Sequence, residues 1–382
     1  MYDASAHGRF IADQSRTAAY RNALRQAVKP GSVVVDIGTG TGIFALLACR
    51  YGASHVYAIE AGDIIQLGRE LAEANSLAKQ ITFIQGMSTE VILPERADVI
   101  VSDLRGVLPF FAQHLPSMIA AVDRFLKPGG IVIPLRDTLW AGVVEAPDLY
   151  KNRMGAWDGS PFGLNVRAAA ALAASSWCKG RVQPQQLLAP PSSWMTLDYS
   201  NLKTANGAGE TTFRIQRDGT GHGLLLWFDA TVAEGAHFSN APGEPEHVYG
   251  SAFFPWPRPV ELRTDDTVFV SLRATLVEGD YVWSWRSELL EQGDPARKKA
   301  SFRQSTLSGL TIAPERLRKV SSDFVPHLSE RGDIDRWILN QMDGGTALGE
   351  VARRMHEAFP KQFPTWHSAL ARASEMSALY SE

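Results

Sequence analysis

The sequence has few cysteines, little net charge and no long uncharged apolar run. Only Cys49 and Cys178 occur among 382 residues, which excludes a multi-disulfide framework and offers no thiolate spacing for a metal. Cys49 lies in the run Phe44-Ala45-Leu46-Leu47-Ala48-Cys49, where a core thiol is expected. Lysine and arginine number 38 against 41 acidic residues, a formal net charge of -3. A duplex nucleic-acid partner usually demands a basic face, so none is expected. No apolar stretch is long enough to span a bilayer, and no membrane contact is expected. The start, Met1-Tyr2-Asp3-Ala4, lacks the basic-then-apolar layout of a signal peptide. A cytoplasmic globular protein without a metal site is the default that these absences leave.

What is present is organised in three parts. Residues 10–28 read as a helix ended by Lys29-Pro30-Gly31, and short β-branched runs then alternate with helical segments. Ser32–Asp36, His55–Glu60, Ile81–Ile84, Ala97–Ser102 and Ile131–Ile133 are the expected strands. Strands alternating with helices predict a doubly wound, parallel, Rossmann-like sheet over residues 1–134. From Pro134 the pattern changes to short alternating segments punctuated by Gly, Pro and Asp, which predict an antiparallel β-barrel domain over 135–330. An Ala-rich, partly helical insertion occupies about 146–180, and residues 294–330 read as polar and irregular. The tail, 331–382, predicts a helical domain, with Thr346 as the cap of its middle helix.

The chemistry-bearing motif follows the first strand. Asp36-Ile37-Gly38-Thr39-Gly40-Thr41-Gly42 joins that strand to a helix, and its glycines allow a tight turn and close approach to a ligand. The helix start offers free N–H groups to an anion. The glycine spacing differs from the nicotinamide pattern G-x-G-x-x-G, and Glu60 closes the second strand where a carboxylate can accept both ribose hydroxyls. These features point to S-adenosylmethionine as the cofactor, with Asp36, Gly38, Gly40, Gly42 and Glu60 as its binding residues.

Several flanking segments make the chain similar to the protein arginine methyltransferases over about residues 7–290. Asp13-Gln14-Ser15-Arg16-Thr17 resembles that family's cofactor-capping helix, Val56-Tyr57-Ala58-Ile59-Glu60-Ala61 its ribose-binding strand, and Gly86-Met87-Ser88-Thr89-Glu90-Val91 its adenine-binding turn. The resemblance implies an ion pair from Arg16 to the cofactor carboxylate and contacts from His7, Phe10, Ala61 and Ser88. It also implies an adenine contact from Thr89 or Glu90. It gives residues 146–180 the place of a dimerisation arm, so a homodimer is expected. Ser102-Asp103-Leu104-Arg105-Gly106 resembles the start of the loop that carries two substrate-clamping glutamates, and Glu246-His247-Val248 stands where the family has Thr-His-Trp.

Two departures bear on the acceptor. The first glutamate is replaced by Asp103 and the second falls at or near Ala112, which cannot pair with a cation. Half of a bidentate clamp for a guanidinium is therefore missing. Asp103, His247 and Asp13 are the candidate catalytic residues: Asp103 to hold or deprotonate the nucleophile, and Asp13 to orient the His247 imidazole as proton acceptor. The Asp13–His247 pair reads equally as a structural link. Arg105 and His114 are candidates to bind an acidic or polar substrate, with a solvated loop charge and a satisfied histidine as the plainer alternatives. Tryptophans 140, 157, 177, 194, 227 and 256 are expected in core packing. The tail, from Ile334 to Gly344 and from Thr346 to Ala352, resembles the helical half of a small winged-helix or PqqD-like peptide-recognition domain, with a generic three-helix cap on the barrel as the plainer alternative. The resulting expectation is a methyltransferase acting on N or O of a peptide or small-molecule natural product in a biosynthetic pathway. The alternatives are an arginine N-methyltransferase with a rearranged loop and a non-catalytic cofactor-binding scaffold.

Overall fold

The computed structural model describes residues 4–157 and 159–381. The Met1-Tyr2-Asp3 start lies outside the described residues. One compact unit ends at Leu310 and a second begins at Thr311.

The first unit opens with α1 (Ala4–Ala12) and α2 (Gln14–Ala27), not with the single helix expected from residue 10. Asp13 makes the break. Its backbone is extended and its carboxylate accepts the Arg16 N–H, so it caps the second helix. Then follow β1 (Val33–Ile37), α3 (Ile43–Arg50), β2 (His55–Glu60), α4 (Ile65–Ala74), β3 (Ile81–Gln85), β4 (Ala97–Ser102), α5 (His114–Phe125) and β5 (Leu126–Ile133). The five strands form a parallel sheet in the order β3-β2-β1-β4-β5. Alternate residues explain its two covered faces. Val34, Val56, Ala58, Val99 and Val101 pack toward α2 and α3, whereas Val33, Val35, Ile37 and Ile100 pack with Ala121 and Phe125 of α5. Lys127-Pro128-Gly129-Gly130 make an irregularity inside β5, which therefore begins before the expected Ile131: Leu126 pairs with Ala97, but Ile131 pairs with Val99. Chain order reverses between β1 and β4, which opens a crevice beyond their carboxyl ends.

The chain continues through β6 (Arg136–Val144), α6 (Pro147–Met154), α7 (Arg167–Ala174), β7 (Cys178–Gly180), β8 (Ser192–Asp198), β9 (Gly207–Arg214), β10 (Gly219–Ala233), β11 (Ala236–Ser239), β12 (Ser251–Leu262), β13 (Thr267–Val277), β14 (Asp280–Leu290) and β15 (Lys298–Ser305). These strands form two antiparallel sheets, β7-β12-β10-β6-β8 with β11 beside β10, and β15-β14-β13-β9. Trp194, Trp256, Trp283, Phe213 and Phe254 fill the core between them. Trp227 is also buried, but Trp157 is exposed in the α6–α7 insertion, contrary to its expected core role. The segment read as irregular from 294 contains β15, whose Ala300, Phe302 and Gln304 alternate inward. Only two of those positions are apolar, so the period was hidden by charge. Phe228, Ala230, Val232, Phe238 and Tyr249 of the antiparallel part share one core with α2 and β1, which is why residues expected as two domains form one unit. Cys49 is a buried free thiol, as expected.

The second unit holds α8 (Pro314–Lys319), α9 (Glu330–Leu339), α10 (Leu348–Ala358) and α11 (Trp366–Tyr380). The last three bury Ile334, Ile338, Val351, Met355, Ala369, Ala373 and Met376. Thr346 does not cap α10: Ala347 holds that position without a side-chain bond, and Asp343 instead accepts from Gly345 N, Thr346 N and Thr346 Oγ1. No described helix is long and apolar enough to cross a membrane. The described residues contain no cluster able to hold a metal ion.

Candidate active site

The crevice beyond β1, β2 and β4 is floored by the glycine loop. Gly38, Gly40 and Gly42 have φ of 69°, 54° and 79°, the left-handed region that favours glycine. A Cβ on Gly38 would stand 2.2 Å from Leu104, and one on Gly40 2.8 Å from the His7 ring. The loop is therefore pressed against both walls of a narrow cradle. Asp36 supports it from below. Its buried carboxylate accepts from Thr39 Oγ1 at 2.6 Å and Ala45 N at 3.0 Å, and burial pushes its pKa up to about 7. Expected to touch the cofactor, Asp36 instead shapes the loop and lies outside the cavity wall, because its acceptor capacity is turned toward the start of α3.

Above the loop lies a cavity of about 270 Å3 lined by His7, Phe10, Arg16, Thr17, Gly38, Gly40, Glu60 and Asp103. A second cavity of about 280 Å3 continues it past Ile37, Ile59, Glu60, Ala61, Met87 and Ser88. Leu104 and Phe111, which the sequence did not single out, wall both. Glu60 stands between them and accepts from Gly40 N at 3.0 Å and Gly62 N at 2.8 Å. Thr89 and Glu90 were expected at the adenine; both are exposed and outside this wall. Arg124 of α5 accounts for it by donating to the carbonyls of Ser88, Thr89 and Val91, which holds the turn by its backbone. Cation, carboxylate and apolar slot thus follow one another along the crevice. A ligand with an anionic head, a diol and a flat apolar base fits this order, as S-adenosylmethionine does.

On the other side, a cleft of about 610 Å3 is lined by Arg9, Phe10, Asp13, Arg105, Lys179, His247, Val248 and Tyr249. Phe10 and Arg105 belong to both the cleft and the first cavity. The structure brings Asp13 and His247 together: Nδ1 of the imidazole lies 3.0 Å from the carboxylate, which also accepts from Val248 N. Burial works to raise the Asp13 pKa, but His247 and the backbone N–H groups outweigh it and lower it.

Asp103 follows β4 and is buried between two guanidiniums. Arg16 Nε donates to Oδ2 at 2.5 Å, Arg105 Nη1 donates to Oδ1 at 2.9 Å, and the Tyr249 hydroxyl donates to Oδ2 as well. Burial alone would raise its pKa, but Arg16 and Arg105 hold the carboxyl below its ordinary range. The expected role of proton acceptor does not suit it, since its lone pairs are engaged and its basicity is lowered. Arg105 is neither a solvated loop charge nor open to substrate over its fork. Its Nε and Nη2 donate to Asp137 of β6 at 2.6 and 2.8 Å, and Nη1 donates to Tyr20 at 2.6 Å. His114 is a satisfied core histidine on one side only: Nε2 meets the Tyr199 hydroxyl at 2.9 Å, while Nδ1 is buried without a partner. Burial pushes its pKa down to about 3, so it stays neutral. Ala112 lines the second cavity with φ of 41°, an uncommon value for a non-glycine residue. Tyr20, Tyr249 and Asp137 were missed as site residues; the sign that could have found Asp137 is a lone acid within the apolar strand β6.

Comparison with known proteins follows the same division. Residues 16–134 match the model for ribosomal protein L11 methyltransferase (PrmA), and residues 136–286 match the arginine methyltransferase oligomerization subdomain. The chain is 31% identical over 232 residues to probable protein arginine N-methyltransferase 6 of Arabidopsis thaliana, covering 58% of this chain and 53% of that one. It therefore spans about half the length of that relative. It is 30% identical over 231 residues to protein arginine N-methyltransferase 1 of Schizosaccharomyces pombe, covering 58% of this chain and 67% of the other. The Trypanosoma brucei PRMT1 enzyme-prozyme heterotetrameric complex with AdoHcy shares the fold, with a TM-score of 0.71 at 20% identity over 78% of this chain and 96% of that one.

Proposed function

The chain belongs to the protein arginine methyltransferase-like class I S-adenosylmethionine-dependent methyltransferases, and from that premise we propose that it methylates an acceptor held in the cleft beside Arg105, His247 and Tyr249. The observation that carries the proposal is the ordered crevice. Of the residues lining it, Arg16 is assigned to the methionine carboxylate, Glu60 to the ribose, and Ile37, Met87 and Ser88 to the purine. S-adenosylmethionine supplies a methyl group already activated on a sulfonium. The chain's own part is to hold the acceptor in line with it and exclude water. Asp13 keeps the His247 imidazole oriented for a nucleophile that must lose a proton.

The relatives are named arginine N-methyltransferases, and arginine is the acceptor that the comparisons favour. A second reading, N or O of a peptide or natural product, rests on Ala112 and on an Asp103 already engaged by two guanidiniums. The α6–α7 insertion leaves Phe162 98% and Leu164 61% exposed, apolar surface that supports a homodimer through this arm. Calorimetry with S-adenosylmethionine and S-adenosylhomocysteine tests the cofactor reading. Binding is expected, and Arg16→Ala should weaken it at least about tenfold. No binding by the wild-type chain would sink the proposal. Mass analysis of arginine-rich peptides incubated with enzyme and cofactor then decides between the two acceptors.

A further inference from the structure

The acceptor end of the site contains a guanidinium that belongs to the chain itself. Arg105 stands at the junction of the first cavity and the cleft. It is buried, forked onto Asp137 and bonded to Asp103 and Tyr20. The junction holds two cations, Arg16 and Arg105, and two acids, Asp103 and Asp137, and they pair with one another. An incoming cation would find two guanidiniums and no open acid. A buried cation with no acid left to pair with is strongly disfavoured.

The rim of the cleft carries the same bias. Arg9 of α1 and Lys179 of β7 both line it. Among the described residues, no ion pair ties either of them to a carboxylate. Burial lowers the Lys179 pKa, the nearby Glu246 carboxylate opposes that and the cations Arg9 and Arg181 add to it, while the ammonium donates to the Val248 carbonyl at 2.6 Å. Of the acids lining the cleft, Asp13 is engaged by His247 and two backbone N–H groups. Glu246 is exposed and paired with Arg181.

We propose that Arg105 fills a guanidinium seat from within the chain and that the cleft takes an anionic, carboxylate-bearing acceptor. The inference rests on the methyl-transfer reading above. It is also chemically economical. A carboxylate oxygen that takes the methyl forms a C–O bond while the C–S bond breaks, and the electron pair of that bond stays on sulfur. No proton is released, so an Asp103 unable to act as base is no obstacle.

The test uses the full chain saturated with S-adenosylhomocysteine and two labelled peptides of matched length, one of Glu-Gly and one of Arg-Gly repeats. Anisotropy titrations should show the acidic peptide binding about tenfold tighter, with Lys179→Ala removing most of the difference. Equal affinities, the reverse order, or no binding of either peptide overturns the inference, as does a preference that Lys179→Ala leaves intact. Failure to bind S-adenosylhomocysteine at all would instead defeat the methyl-transfer reading, so the two failures are distinguishable. A second arm removes the internal guanidinium. Arg105→Ala should melt lower than wild type and be raised again by methylguanidine, to which the wild-type chain does not respond. An Arg105→Ala chain as stable as wild type, a variant that methylguanidine does not rescue, or a wild-type chain that binds methylguanidine in the cleft overturns the proposal. Should Arg105→Ala not fold, Arg105→Lys keeps the charge without the fork and should melt lower while retaining the preference for the acidic peptide; loss of that preference overturns it too.

Discussion

Replacing Gly40 by alanine should damage the cofactor site through two separable effects. The residue sits at φ 54°, where an L side chain costs roughly 1–2 kcal/mol. Its new Cβ would lie 2.8 Å from His7 Cε1 and 3.0 Å from Nδ1, closer than packed atoms tolerate. Either His7 moves off the loop, which shifts α1 and the cavity wall it provides, or the loop rotates. Rotation would pull Gly40 N–H from the Glu60 carboxylate, now 3.0 Å away, and a hydrogen bond to a charged group contributes about 1.5–3 kcal/mol. With both effects operating, the expected loss is roughly 2.5–5 kcal/mol. Calorimetry should find S-adenosylhomocysteine bound at least about tenfold more weakly, and scanning should find a lower melting temperature. The double variant His7→Ala/Gly40→Ala separates the effects, since contacting residues are not additive. If the ring clash dominates, the second change restores most of the stability lost. If backbone strain and the Glu60 bond dominate, it restores none. A Gly40→Ala chain that binds and melts like wild type would refute the cradle geometry, because neither effect could then be operating.

Two further outcomes follow from groups around that cradle. Asp36 has a folded pKa of about 7 against an ordinary 3.8. A raised acid destabilises the fold increasingly as pH climbs from the lower value to the higher, and by a constant amount above it. Asp36→Asn should therefore gain stability relative to wild type between about pH 4 and pH 7; melting curves that differ by the same amount at both ends would assign the perturbation elsewhere. Arg124→Ala removes the donor that gathers the Ser88, Thr89 and Val91 carbonyls. Adenosine, which probes the nucleoside end without the methionine moiety, should then bind about tenfold more weakly. Undiminished adenosine affinity would show that the turn keeps its shape without Arg124.

The features visible in the sequence and those hidden from it differ in physical kind. Val33-Val34-Val35 declares a strand buried on both faces, and the glycines after it declare a turn that other residues would strain; both are local properties. Asp13 could have been recognised as a cap that divides the first helix, since an Asp three residues before Arg16 is a local signal too. β15 escaped because its inward period is carried by Ala300, Phe302 and Gln304 among charges. Arg105 escaped for a deeper reason. Its partner Asp137 lies 32 residues away on a strand of the other sheet, and only their meeting turns a loop cation into a buried fork. A clue was nevertheless present. An ionised carboxylate cannot remain unpaired in an apolar strand such as Thr138-Leu139-Trp140-Ala141-Gly142-Val143-Val144, so Asp137 at its start requires a cation from elsewhere in the chain. An arginine two residues beyond Asp103 meets that requirement, and in meeting it also occupies Asp103. The same pair that completes the core therefore alters which acceptors the cleft can admit, and a reading confined to local motifs separates those two consequences when they have one cause.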